Sequence, residues 1–276
     1  MAVSPAITVL GAGGWIGAAL VADLQRQGRQ VLPVGRAELA KWLVGSECPG
    51  PVSYAIGLTA DFRQRPHATA EAHVGLLSEV LQRPGLNQLL LLSSTRVYGR
   101  SAETSETAAL PCLSSDPSDL YNLSKLLGEA LVLQDPRAGF KVVRLSNVVG
   151  SGQPDSTFIG ALLAEAREQG ESTIQQPADT AKDYVAMADV VRLLPLIAEQ
   201  GLHRLYNLGS GRNISHAQVA TWMQREGLSV NFQSEATGGL SFPSLMIERL
   251  SQEFEPPGDP FRQTLPERFA PYEPPV

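Results

Sequence analysis

Apolar positions along the first two thirds of the chain follow two periods that take turns. Short unbroken apolar runs read as strands buried on both faces, and stripes at i, i+3 and i+4 read as helices packed on them. Ala6–Leu10 is the first such run. A helix follows from about Trp15 to Gln27 and stops at Gly28, a natural C-terminal cap. Gln30–Val34 is the second strand, and Arg36–Pro49 reads as one helix and a loop. Val52–Ile56 is a strand, and Ala68–Leu81 a helix with Val74, Leu77 and Leu81 on one face. Gln88–Ser93 contains four consecutive leucines and reads as a central strand. Asp119–Leu133 is a helix and Lys141–Leu145 a strand.

After Gly150 the pattern loosens. Helices are expected near Phe158–Gln169 and Asp189–Gln200, with a short strand at Leu205–Leu208 and a helix opened by Ser215 as its N-cap. These pieces are expected to form a small lobe over the sheet edge. The tail from Pro256 is proline-rich, and its last residues are expected to be loose. The alternation predicts an α/β fold, a Rossmann-type doubly wound parallel sheet with a small C-terminal substrate-binding lobe. Residues 1–276 read as a single domain, 1–150 mainly the cofactor-binding core and 151–276 mainly the substrate lobe.

Composition narrows the function. Of 276 residues, 43% are hydrophobic and 18% charged, so a large core can form. The net charge of −6, with no Lys/Arg block, argues against a nucleic-acid or anionic-membrane surface. Cys48 and Cys112 form neither a metal spacing nor a disulfide framework, which fits a reducing, cytoplasmic location and no metal. No signal peptide and no run of about 18 apolar residues is seen.

Gly11, Gly14 and Gly17 stand in a GxxGxxG spacing between the first strand and its helix. That context suits a dinucleotide. Gly11 allows the tight turn, Gly14 lets the backbone approach the pyrophosphate, and Gly17 lets helix and strand pack closely. Trp15 and Ile16 open the helix, whose free N–H groups and positive dipole end face the phosphates. The second strand ends at Val34-Gly35-Arg36. An acidic residue there would hold the ribose of NAD, whereas an Arg accommodates the 2′-phosphate of NADP. Arg36 therefore favours NADP(H), with NAD(H) the alternative, and Glu38 is near enough to serve a ribose hydroxyl.

Tyr121 and Lys125 are four residues apart, on one face of a helix. A tyrosine hydroxyl titrates near 10, so proton exchange at neutrality needs its pKa lowered by roughly 3, or about 4 kcal/mol. A neighbouring ammonium and an oxidised nicotinamide could supply this. Upstream, the leucine strand runs into Ser93-Ser94-Thr95-Arg96-Val97-Tyr98-Gly99. Hydroxyls at the carboxyl end of a central parallel strand sit where α/β sheets bind ligands, and Ser94 can donate to a substrate oxygen.

These motifs are followed by Glu129, Arg144-Leu145-Ser146-Asn147-Val148-Val149-Gly150, Lys182-Asp183-Tyr184-Val185 with Asp189, and Tyr206-Asn207-Leu208-Gly209. In this order they resemble the extended short-chain dehydrogenase/reductase family, of the NAD-dependent epimerase/dehydratase type that modifies nucleotide sugars. The resemblance runs from Gly11 to about Gly209. It implies that Ser94, Tyr121 and Lys125 are catalytic and that Lys125 also binds the nicotinamide ribose. It further implies that Ala55, Ile56 and Gly57 line the cofactor, and that Thr95, Arg96, Asn147 and Lys182 meet substrate. The loop Ser151–Phe158 would border the sugar, and Asp189 looks like a structural helix cap.

The chain departs from the family in four places. His73 stands where Asn is usual. Thr95-Arg96 replaces the Asp-Glu pair of 4,6-dehydratases. Lys182 stands where Arg is frequent. The C-terminal Arg that grips the diphosphate has only Arg249 and Arg262 as candidates. The resemblance thus implies an NADP(H)-dependent reductase of a nucleotide-linked keto-sugar. Three other readings are open. One is an epimerase with retained NAD. Another is a reductase of non-sugar carbonyls, which Ile56, Leu58, Phe62 and Val148 would tolerate. The last is a non-catalytic cofactor sensor. A homodimer through Ala68–Leu81 and Asp119–Leu133 is possible, although Leu123, Leu126, Leu127 and Leu131 fit a core equally well.

Overall fold

The four leucines of the predicted central strand, Leu89–Leu92, are buried on both faces of a parallel sheet. The computed structural model describes residues 6–45, 50–58, 61–233 and 242–263; Cys48 lies outside them. In chain order the elements begin β1 (Ile7–Leu10), α1 (Trp15–Arg26), β2 (Val31–Val34), α2 (Arg36–Val44) and β3 (Val52–Tyr54). Next come α3 (Pro66–Ala70), a π-helical turn (Glu71–Gly75), α4 (Leu76–Leu81), β4 (Leu89–Ser94) and a 3₁₀ turn (Thr95–Tyr98). They are followed by α5 (Asp119–Gln134), β5 (Phe140–Leu145), β6 (Asn147–Val149), α6 (Phe158–Gln169), β7 (Glu171–Ile174) and β8 (Ala181–Ala186). The remainder is α7 (Met187–Gln200), β9 (Leu205–Leu208), β10 (Asn213–Ser215), α8 (His216–Arg225), β11 (Ser229–Phe232), α9 (Glu248–Glu253) and α10 (Pro260–Gln263).

The main sheet runs β2-β1-β3-β4-β5-β9, with every pairing parallel. On one face, Leu20 and Leu24 of α1 and Val190, Leu194 and Ile197 of α7 pack on Val9, Leu90, Leu92 and Val143. On the other, Trp42, Leu77, Val80 and Val132 pack on Leu10, Tyr54, Leu91 and Val142. The sheet is therefore doubly wound, as expected. Strand order reverses between β1 and β3, so their carboxyl ends open a crevice there. Among the described residues no helix is long and apolar enough to cross a membrane.

Three expectations need correction. First, the helix over 187–200 and the strand 205–208 belong to the main sheet, not to the lobe. β9 pairs with β5, and α7 is the crossover that a parallel return requires. Second, Ala68–Leu81 is not one α-helix. The π turn, closed by Leu76 N–H on Glu71 O, inserts a residue and moves the buried face to Thr69, His73, Leu77 and Val80. Third, Asp189 lies in the first turn of α7 and is not its N-cap. It bonds Arg192 at 2.6 Å and Gly258 N–H at 3.1 Å, and so has a structural role.

The lobe contains a three-stranded sheet, β10-β8-β6, and the pair β11-β7. Ile159, Leu162, Leu163, Tyr184, Val219 and Met223 form its own core. Ser215 caps α8 as predicted, and Gln218 completes a reciprocal capping box.

Candidate active site

The carboxyl ends of β1 and β3 meet in the crevice. Gly11 has φ +87°, and a Cβ there would stand 2.8 Å from the backbone of Ala55. A Cβ on Gly17 would strike the Gly11 carbonyl, so α1 starts directly on the turn. Gly14 is the exposed N-cap of α1, and no side chain caps the free amides of that turn. Trp15 donates from Nε1 to Ser151 O at 3.0 Å, tying α1 to the loop after β6. Ile16 packs partly buried against the core, and Ala55, Ile56 and Gly57 line the opposite wall. This cradle, closed to any side chain at positions 11 and 17, fits a dinucleotide. Arg36 opens α2 beside it, exposed and without an acidic partner among the described residues. Glu38 is used locally, its carboxylate accepting from Gly35 N–H at 3.0 Å.

Ser94 ends β4, while Tyr121 and Lys125 lie on the buried face of α5. Tyr121 is buried, which raises its pKa; a hydrogen bond with Ser94 and the charge of Arg96 act the other way. The lowered tyrosine pKa expected from the ammonium spacing is absent here. The Lys125 ammonium is turned to Leu92 O at 3.0 Å, and burial prevails. Lys125 is itself lowered to about 8 by burial, against the pull of Glu129. A Cβ on Gly57 would sit 3.5 Å from Lys125 Nζ, so the wall after β3 and the α5 residues share one space. Behind them Glu129 accepts from Ser93 Oγ at 2.5 Å and from Arg144 at 2.6 Å, fixing α5 to β4 and β5.

His73 reaches the same space from the π turn. Its Nε2 accepts from Leu58 N–H at 3.3 Å, and its Nδ1 is 2.8 Å from Ser124 Oγ. Ser124 Oγ donates to Tyr121 O at 2.9 Å. With Nε2 accepting, Nδ1 carries the proton and donates to Ser124. Burial, and secondarily the Lys125 charge, lower the His73 pKa to about 3, so the ring is neutral. Ser124 carried no signal in the sequence, because its role depends on a histidine 51 residues away.

Thr95, Arg96, Asn147 and Lys182 were expected at a substrate rim, and of these the structure brings Arg96 against the Tyr121 ring. Thr95 and Arg96 open the 3₁₀ turn after Ser94. The Arg96 guanidinium lies 5.8 Å from the centre of the Tyr121 ring and 5.2 Å from that of Phe62. Asn147 is exposed but donates to Asp183 O at 2.8 Å, joining β6 to β8. The Lys182 ammonium lies 5.2 Å from the Phe158 ring centre, and burial lowers its pKa. Arg249 is not at this rim. It donates to Leu205 O, at the amino end of β9 and hence the far edge of the sheet, and pairs with Glu106. The Arg262 side chain lies outside what is described. The buried His216, stacked on Phe158 at 4.5 Å, was not singled out from sequence, where it stands in no motif.

The model of the NAD dependent epimerase/dehydratase family matches residues 54–209, a span that starts after the glycine turn. Over 237 residues, 74% of either chain, the protein is 27% identical to dTDP-6-deoxy-L-talose 4-dehydrogenase (NAD(P)(+)) of Kitasatospora kifunensis. Among solved structures it is similar to UDP-N-acetylglucosamine 4-epimerase from Methanobrevibacter ruminantium M1 in complex with UDP-N-acetylmuramic acid. The TM-score is 0.78 at 16% identity, covering 96% of this chain and 97% of that one. It is also similar to RMD from Pseudomonas aeruginosa complexed with NADPH, with a TM-score of 0.76 at 22% identity over 95% and 96% of the chains.

Proposed function

We propose a function that proceeds from one premise: the chain belongs to the NAD dependent epimerase/dehydratase family. Within that family of NAD(P)-dependent enzymes we read it as an NADP(H)-dependent reductase of a keto group on a nucleotide-linked sugar. The observation that carries this reading is the convergence of Ser94, Tyr121 and Lys125 on the space beside Gly57. The relative at 27% identity, named for dehydrogenation at carbon 4 of a dTDP-linked deoxysugar with either cofactor, supports it. Arg36, just past β2 and without an acidic partner among the described residues, suits a 2′-phosphate.

A bound dihydronicotinamide would supply a hydride to the carbonyl carbon. Tyr121, held protonated by its burial, gives its proton to the carbonyl oxygen, and Ser94 donates a hydrogen bond to that oxygen. The product is the alcohol, and Tyr121 is left as a phenolate facing the Arg96 charge. Lys125, with its ammonium near the wall at Gly57, holds the ribose. Lys182, partnered by no carboxylate among the described residues, is the cation assigned to the diphosphate. Burial keeps Tyr121 in the protonated form from which reduction starts.

The reading includes a reducing, cytoplasmic setting, where Cys112 stays a free thiol. It also includes a homodimer through α4 and α5, because Leu123 and Leu127 of α5 are exposed. Sedimentation tests the dimer, with Leu127→Asp expected to give monomers.

Fluorescence titration with NADPH and NADH tests the function, once the purified protein has been checked for cofactor already bound. A clear NADPH preference, lost in Arg36→Ala, supports the reductase. Tightly retained NAD would overturn it in favour of an epimerase.

A further inference from the structure

Among the described residues the Arg96 side chain makes no hydrogen bond or ion pair, and its Nε is buried without a partner. The guanidinium lies against the touching rings of Phe62 and Tyr121, 5.2 Å and 5.8 Å from their centres, so its donors stand beside the catalytic tyrosine. Two carboxylates reach it electrostatically, Asp119 and Asp116. Both are engaged by Arg100, and Asp119 also accepts from Leu113 N–H and Asn122. The other charges placed near it among the described residues are cations. Arg63 stacks 4.6 Å from the centre of the same Phe62 ring, Lys125 Nζ is 5.9 Å from that of Tyr121, and the charges of Lys182 and Arg96 oppose each other. A half-buried guanidinium with an unfilled donor among cations is a binding site for an anion.

The position of that anion follows from Tyr121. If Tyr121 protonates the sugar carbonyl, a group touching Arg96 is attached close to the reacting carbon. The diphosphate is attached at the anomeric carbon, across the ring from a carbon-4 ketone. A planar, two-oxygen group is the match for a planar fork, through two parallel hydrogen bonds.

We infer that Arg96 receives a carboxylate carried by the sugar next to the reacting centre, so that the preferred substrates are nucleotide-linked acidic sugars of the hexuronate class. The inference rests on the nucleotide-sugar reading given above.

The test is calorimetric. NADP⁺-loaded protein is titrated with UDP, UDP-glucose and UDP-glucuronate, and with the dTDP series. Wild type is expected to bind the glucuronate roughly tenfold or more tighter than the glucose compound. Arg96→Gln should remove that advantage and leave the affinities for UDP and UDP-glucose unchanged, while Arg96→Lys should restore part of it. Thermal melting and cofactor affinity establish that both variants are folded. Equal weakening of all three ligands by Arg96→Gln would place Arg96 on the diphosphate and overturn the inference. So would a wild type that binds neutral and acidic sugars alike, or neutral ones alone, and either result leaves the nucleotide-sugar reading standing. Failure of every nucleotide to bind would overturn both.

Discussion

Burial leaves Tyr121 protonated and Lys125 close to its titration point, so the two residues respond to pH in different ways. Tyr121→Phe is expected to lower kcat by roughly 10²–10⁴-fold with NADPH affinity intact, as single-turnover kinetics and titration would show. Lys125 is lowered to about 8, so its ammonium is lost as pH rises through that value. Activity at saturating substrate should therefore fall above about pH 8, and a pH–rate profile of wild type would show the limb. His73 behaves otherwise. With its pKa near 3 it stays neutral across that range and fixes Ser124, and through it the Tyr121 carbonyl. His73→Ala is expected to lower kcat more than it raises KM, and His73→Asn to recover part of the loss. Most of these residues were legible in the sequence, because Ser94, Tyr121 and Lys125 stand in short local motifs whose spacing the fold preserves. Ser124 was not, since only the π turn brings His73 to it. The direction of the Tyr121 shift was also hidden, because a spacing of four residues does not show which way an ammonium points. Lys125 points at Leu92 O.

The π turn between α3 and α4 gives the clearest case at the level of elements. Its backbone touches α5 at Gly128, where a Cβ would come 2.8 Å from His73 O and 3.3 Å from Leu77 Cδ2. Gly128→Ala gains up to about 1 kcal/mol of helix propensity, but overpacking of this kind costs about 1–3 kcal/mol. Net destabilisation is expected, lowering Tm by a few degrees in calorimetry. Activity should fall with it, because the displaced helix carries Tyr121 and Lys125. The strands and helices of the main sheet were legible through apolar periodicity, usually to within two residues. The lobe strands were not. β6 and β10 have three residues each, and β8 mixes Lys182 and Asp183 with apolar neighbours, so none of the three shows an extended apolar run. The sequence also carries no local sign that a helix will hold one extra residue in a turn.

For the molecule as a whole, two buried histidines make stability depend on pH. His73 is lowered to about 3 and His216 to about 4, both chiefly by burial, from an ordinary value near 6.5. Below 6.5 the unfolded chain takes up protons that the folded chain refuses. Their contribution is thus complete above 6.5 and is lost as pH falls toward 3–4. Asp183, raised by burial, works in the opposite direction, but it is one group against two. Urea midpoints should therefore drop between pH 7.5 and 5, by an amount corresponding to on the order of several kcal/mol at most. His216→Phe, which keeps the stack on Phe158, should flatten the slope. The allocation of core and lobe was the least legible part, because strand pairing over long separations is set by the whole sheet and not by any segment. The position of β9 has a further consequence during synthesis. Some sixty residues, including β6, β7 and β8, leave the ribosome between β5 and β9. Until β9 follows, the edge of β5 presents unpaired amides and carbonyls to other nascent chains. A chain that stalls or is cut within the lobe would leave that edge open to pairing with another chain.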